Sequence, residues 1–177
     1  SGARPPEVER ALRASSQLVT LAGAGPVPPF ALVTRVRDDV PRLQTALDSF
    51  GYYQNTVSIT IAGMGPDDPE LPARLDAIAQ ATPAQVKIAV STGPLYHVGK
   101  VVLLGNVPVH DRDALGLRSG DPAIAGVVLD AQSRLLAALQ EDGYALAKVG
   151  SPDATADDAA HTIDVTYRIE TGAQVAV

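Results

Sequence analysis

The chain has no cysteine and no tryptophan, and only two phenylalanines and five tyrosines among its 177 residues. Without cysteine there is no disulfide, no thiol nucleophile and no thiolate metal site. With so few aromatics there is no platform on which bases or sugars could stack. Positive charge is also scarce. Lys plus Arg number 14 against 20 Asp plus Glu, the net charge is −6 and the pI is about 4.9. The basic residues nowhere form a block, so the surface repels polyphosphate and nucleic acid is excluded as a partner. No apolar run approaches the ~20 residues needed to span a bilayer. The start Ser1-Gly2-Ala3-Arg4 has no signal-peptide pattern, so the chain reads as a mature soluble protein or a soluble fragment. Its hydrophobic fraction of 46% is that of a globular protein, supplied by Ala, Val and Leu.

What the chain does have is a copy of itself. Leu43, Ala46, Leu47, Gly51 and Tyr52 return as Leu135, Ala138, Leu139, Gly143 and Tyr144, all displaced by 92 positions. Val86, Ile88, Val90, Thr92 and Gly93 align in the same way with Val165, Tyr167, Ile169, Thr171 and Gly172, at a displacement of 79. The difference places about thirteen extra residues in the first copy, in the Pro- and Asp-rich region 65–83. One small unit used twice in tandem points to a binding or scaffolding arm more readily than to an enzyme, whose cleft draws on several separate elements.

Hydrophobic spacing then orders the elements. Val8, Ala11, Leu12, Ser15, Leu18 and Val19 predict one helix over 7–21. A second helix, with the stripe Leu43, Leu47 and Phe50, is expected to start near Asp38-Asp39, so that Pro41 falls in its first turn, and to stop at Gly51. Thr56–Ile61 alternates polar and β-branched apolar residues, a half-buried strand. Leu71, Leu75 and Ile78 give a short helical stripe inside the insertion. Residues 85–91 alternate again, with Val86, Ile88 and Val90 inward, and pair antiparallel with the preceding strand. The second copy reads as a strand over 98–104, helices over 111–117 and 124–141, and strands over 145–149 and 162–170 joined by a small, polar linker over 150–160. Residues 173–177 read as the opening strand of a third copy.

The predicted fold class is therefore α+β, two tandem β-α-α-β-β modules, each a small three-stranded sheet covered by two helices. They occupy 1–94 and 95–172, and the first strand of the first module is missing. A missing strand leaves a row of backbone N–H and C=O groups unpaired. Residues 173–177 of a neighbouring molecule are one candidate to fill it, by strand exchange or dimerisation.

Catalytic chemistry finds little support. His97, His110 and His161 fall in or beside loops, none three or four residues from another on a helix, so no metal pair is expected. Asp111 and Asp113 beside His110 read as acids favouring a helix N-terminus rather than as metal ligands. Ser15-Ser16 lacks a nucleophile turn, and Gly63-Met64-Gly65 lacks the rest of a phosphate loop. No cofactor is expected.

The β-α-α-β-β order, the Gly-Tyr pairs that close the second helices, and the Gly-bounded strand 98–104 resemble the POTRA domain of the outer-membrane Omp85 superfamily. Within it, Ala14–Val19, Leu43–Phe50 and Gly51-Tyr52-Tyr53-Gln54 look most like the first POTRA domain of TamA-type translocation and assembly proteins. The resemblance implies a periplasmic location as part of an outer-membrane protein, with a β-barrel elsewhere in the parent chain. It also implies a non-enzymatic role in assembling or translocating membrane proteins, a TamB-type periplasm-spanning partner and unfolded outer-membrane protein clients. The edge strand it singles out for partner binding by strand addition is Thr56, Val57, Ser58, Ile59, Thr60 and Ile61, whose polar members would keep the edge soluble. Two other readings stand beside it, a rigid spacer without ligand and a small periplasmic enzyme with a site near His97.

Overall fold

Pro5-Pro6 ends in a helix because a proline in the first turn forfeits no intrahelical hydrogen bond. A computed structural model describes residues 4–23, 25, 27–78 and 84–174. In it α1 spans Pro6–Ser15 and buries Val8 and Leu12. The single helix expected over 7–21 is broken at Ser16, which is extended (ψ 120°) and starts a separate α2, Gln17–Thr20. The reason lies 23 positions away. Buried Asp39 accepts hydrogen bonds from the Ser16 hydroxyl (2.7 Å) and from the backbone N–H groups of Gln17 and Leu18 (2.9 Å each). Ser16 Oγ itself accepts from Val19 N (3.1 Å), so the orphan donors at the start of α2 are satisfied from two sides.

Helix α3 also departs from expectation. It runs without interruption over Pro29–Ser49, with Pro41 inside it rather than in its first turn. Pro29 supplies the N-terminal proline, while the buried positions Val36, Asp39, Leu43 and Leu47 hold the helix through the missing Pro41 N–H. Strand β1, Thr56–Ile61, and β2, Val86–Ser91, pair antiparallel in register from Thr56 opposite Ser91 to Ile61 opposite Val86. Between them α4, Leu71–Ile78, buries Leu71 and Leu75, and Arg37 on α3 fastens the insertion through Asp67 (3.0 Å) and the Pro66 carbonyl (3.1 Å).

The chain divides into two compact units, Ser1–Asp48 with Tyr52–Gly93, and Ser49–Gly51 with Pro94–Val177. In the second, β3 is His97–Leu104, α5 is Val109–Arg112 followed by a 3-10 turn over Asp113–Leu115, and α6 is Ala125–Glu141. The strands β4, Lys148–Val149, β5, Asp153–Asp157, and β6, Thr162–Glu170, complete it. The last of these is central. It pairs parallel with β3 and antiparallel with β4 and β5. The sheet thus has four strands where three were expected, because the supposed linker 150–160 contains β5. All five of its residues are exposed, so it carries no alternation to read.

Tyr96, Val98, Leu115, Leu135, Leu139, Val165 and Tyr167 form this unit's buried core. The Tyr167 hydroxyl donates to the Val128 carbonyl (2.8 Å), and burial pushes its pKa up to about 12, so it stays a donor. The internal copy is exact in its turns. Gly51 and Gly143 lie at φ 88° and 90°, a region a side chain strains, and Tyr52 N and Tyr144 N donate to the carbonyls of Leu47 (3.1 Å) and Leu139 (3.0 Å).

Candidate functional site

Strand β1 enters from a clasp at the end of α3, where Asn55 donates to Asp48 (2.8 Å) and to the Tyr52 carbonyl (2.7 Å). Burial raises the Asp48 pKa, and the Asn55 bond offsets part of the rise. Along the strand Val57, Ile59 and Ile61 are buried, Thr56 and Ser58 are exposed, and Thr60 is half-buried. Among the described residues β1 has one ladder partner, β2, and β2 has one, β1. Each therefore presents one edge that no described strand pairs, and the sheet of the first unit has two strands.

The two edges differ in what lies beside them. The apolar side of β1 is already covered. That of β2 is not: Val86, Ile88 and Val90 are only half-buried, whereas their counterparts Val165, Tyr167 and Ile169 in β6 are 0%, 0% and 6% exposed. In β6 the additional cover is β3, a parallel strand along one edge. In the first unit Ile88 and Val90 border an open groove of about 240 Å³, lined also by Leu12, Ser16, Val19 and Leu43 and by the charged residues Arg4, Glu9 and Arg13. Glu9 bridges both arginines, at 3.8 Å to Arg4 and 3.0 Å to Arg13. Apolar side chains and this ion-paired group line the same groove.

Sequence reasoning placed the faces of β1 and missed this groove. Its signal was present in the opening strand that the first module lacks, since in the second module that strand, β3, pairs along the matching edge of β6. Part of the third-copy strand expected over 173–177 lies outside the described residues; Ala173 and Gln174 are exposed and outside any strand.

The histidines fall out differently from one another. His97 opens β3, and its backbone N–H donates to the His161 carbonyl (3.0 Å). The His161 ring meets the Tyr96 ring edge-on at 5.5 Å. Among the described residues the cluster of a histidine with two carboxylates is at His110, which meets Asp111 and Asp142 rather than Asp113. Asp142 lies 32 positions from His110, a separation at which spacing carries no signal.

Among the described residues no helix is long and apolar enough to cross a membrane. No curated protein matches the chain. Among solved structures it is similar to POTRA3-5 of BamA from Haemophilus influenzae, at 20% identity over 81% of this chain and 52% of that one, with a TM-score of 0.45. It is similar also to POTRA1-2 of the periplasmic domain of Omp85 from Anabaena, at 16% identity over 98% and 89%, TM-score 0.48. A third similar structure is CdiB from Acinetobacter baumannii, at 13% identity over 77% and 21%, TM-score 0.37. The chain thus spans about half the length of the Haemophilus structure and about a fifth of the Acinetobacter one. Residues 96–172, which hold the complete four-stranded sheet and both of its covering helices, match the family model described as POTRA: Surface antigen variable number repeat.

Proposed function

We propose that the chain is the periplasmic protein-interaction arm of an outer-membrane protein assembly or translocation factor, and that it binds extended chains by strand addition without catalysing a reaction. The observation that carries this reading is the two-stranded sheet of the first unit, which offers main-chain donors and acceptors at its edges. The POTRA match over 96–172 supports the same class of role. The TamA-like element Gly51-Tyr52-Tyr53-Gln54 favours a TamB-type protein as partner, with unfolded outer-membrane proteins as clients and the parent chain's own barrel as anchor.

Thr56–Ile61 is the proposed docking edge. Its apolar side is buried, so an added strand there gains chiefly main-chain hydrogen bonds and tolerates many sequences. The groove beside Ile88 and Val90 favours a second reading, addition along β2, where an incoming strand would also remove apolar surface from water, at about 25 cal/mol per Å². The carboxyl-terminal residues of a second copy are one such strand, and a monomer by light scattering at high concentration would remove that occupant.

An amide-resolved NMR titration with the C-terminal domain of a TamB-type protein, beside an unfolded outer-membrane protein peptide, tests the proposal. Saturable shifts along Thr56–Ile61 support the first edge, and shifts along Val86–Ser91 support the second. No shifts with either ligand would leave a rigid spacer as the better description.

A further inference from the structure

In the second unit the start of α5 and the end of α6 bring three side chains to one point. His110 Nε2 contacts Asp142 Oδ2 and lies 3.6 Å from Asp111 Oδ1, and one ligand atom from each residue lies within 4.8 Å of the other two. Both carboxylates sit there at local cost. Asp111 is 4% exposed, and among the described residues its buried Oδ2 has no hydrogen-bond partner, a desolvated acceptor. Asp142 occupies the C-cap of α6, the end at which the helix dipole is already negative. The cluster is short of positive charge.

One imidazole nitrogen and two carboxylates suit a borderline first-row divalent cation, whereas magnesium and calcium prefer oxygen alone. We infer that His110, Asp111 and Asp142 form a binding site for a zinc-class divalent cation, with the buried Asp111 carboxylate as the inner ligand and the remaining coordination open to water. The cation neutralises both acids and takes the place of the imidazole proton. It also braces the exit of the unit, because Gln174 Nε2 donates to the Asp142 carbonyl (3.0 Å).

Calorimetric titration with zinc chloride, followed by imidazole-resolved NMR of the same sample, tests this. One equivalent should bind saturably, with shifts at the His110 ring and none at His97 or His161, and magnesium should not reproduce it. His110→Ala and Asp142→Asn should each weaken binding at least about tenfold, the scale on which even an outer-shell partner matters. The His110 side chain is 68% exposed, so its removal leaves the fold intact, which circular dichroism checks. Absence of saturable binding up to millimolar zinc, survival of binding in His110→Ala, or shifts at the other two histidines would each overturn the site.

Discussion

Asp39 shows how one buried carboxylate decides where a helix ends. Its two oxygens take one hydroxyl and two backbone N–H groups, and Arg42 stands 3.7 Å away at the rim. Asp39→Ala would strand all three donors, of which the Ser16 hydroxyl is the buried one, and a buried donor left unsatisfied costs about 1–3 kcal/mol. A loss of about 2–3 kcal/mol in urea denaturation is expected, with Ser16→Ala costing less because Asp39 keeps its two backbone donors. His110 gives a different handle, pH. Its pKa is raised by the hydrogen bond and charge of Asp142 and, more weakly, by Asp111. An imidazole that holds its proton more tightly folded than unfolded adds stability that is complete below about pH 6.5 and fades as pH rises through the raised value. The raised pKa of Asp111 has the same sign, its contribution being complete below 3.8 and lost above. Relative to His110→Ala, the parent protein should therefore lose stability in urea titrations as pH rises from about 6.5 through the raised value; a constant difference would mean that the pair does not form in solution.

At the scale of elements, α3 carries a removable defect. Pro41 is exposed and interior to a 21-residue helix, where proline costs about 3 kcal/mol relative to alanine. Pro41→Ala restores an N–H and should raise the unfolding free energy from urea denaturation, by up to about 3 kcal/mol. A fall would show that the surroundings have adapted to the proline. This element also marks how far the sequence could be read. The apolar stripes of α3 and α6, the alternation of β1 and β6 and the repeated Gly-Tyr turns were legible, because each is a local pattern with a period. The break at Ser16 was not, since its cause is a side chain 23 positions on. Nor was the upstream half of α3, where Pro29 rather than Asp38-Asp39 begins the helix, because a proline at 41 counts locally as a stop. Strand β5 was hidden for the opposite reason, having no buried face at all.

For the molecule as a whole, the functional features were legible in proportion to how local they are. The polar and apolar sides of Thr56–Ile61 follow from alternation, but which sheet edges stay open depends on every other strand. The groove at Ile88 and Val90 emerges only when β2 is set beside its copy β6, where β3 supplies the additional cover. The meeting of Asp142 with His110 is equally remote. The topology of the second unit has a further bearing, on the order of events when the chain is made. Its central strand is its last: β3, β4 and β5 all depend on Thr162–Glu170 for their partners, and the β3 pairing spans more than sixty positions. A polypeptide emerging from its amino end therefore cannot close this sheet until the whole segment has been delivered. Until then His97–Leu104 is a strand without its partner, its backbone N–H and C=O groups open to pairing with any extended chain it meets.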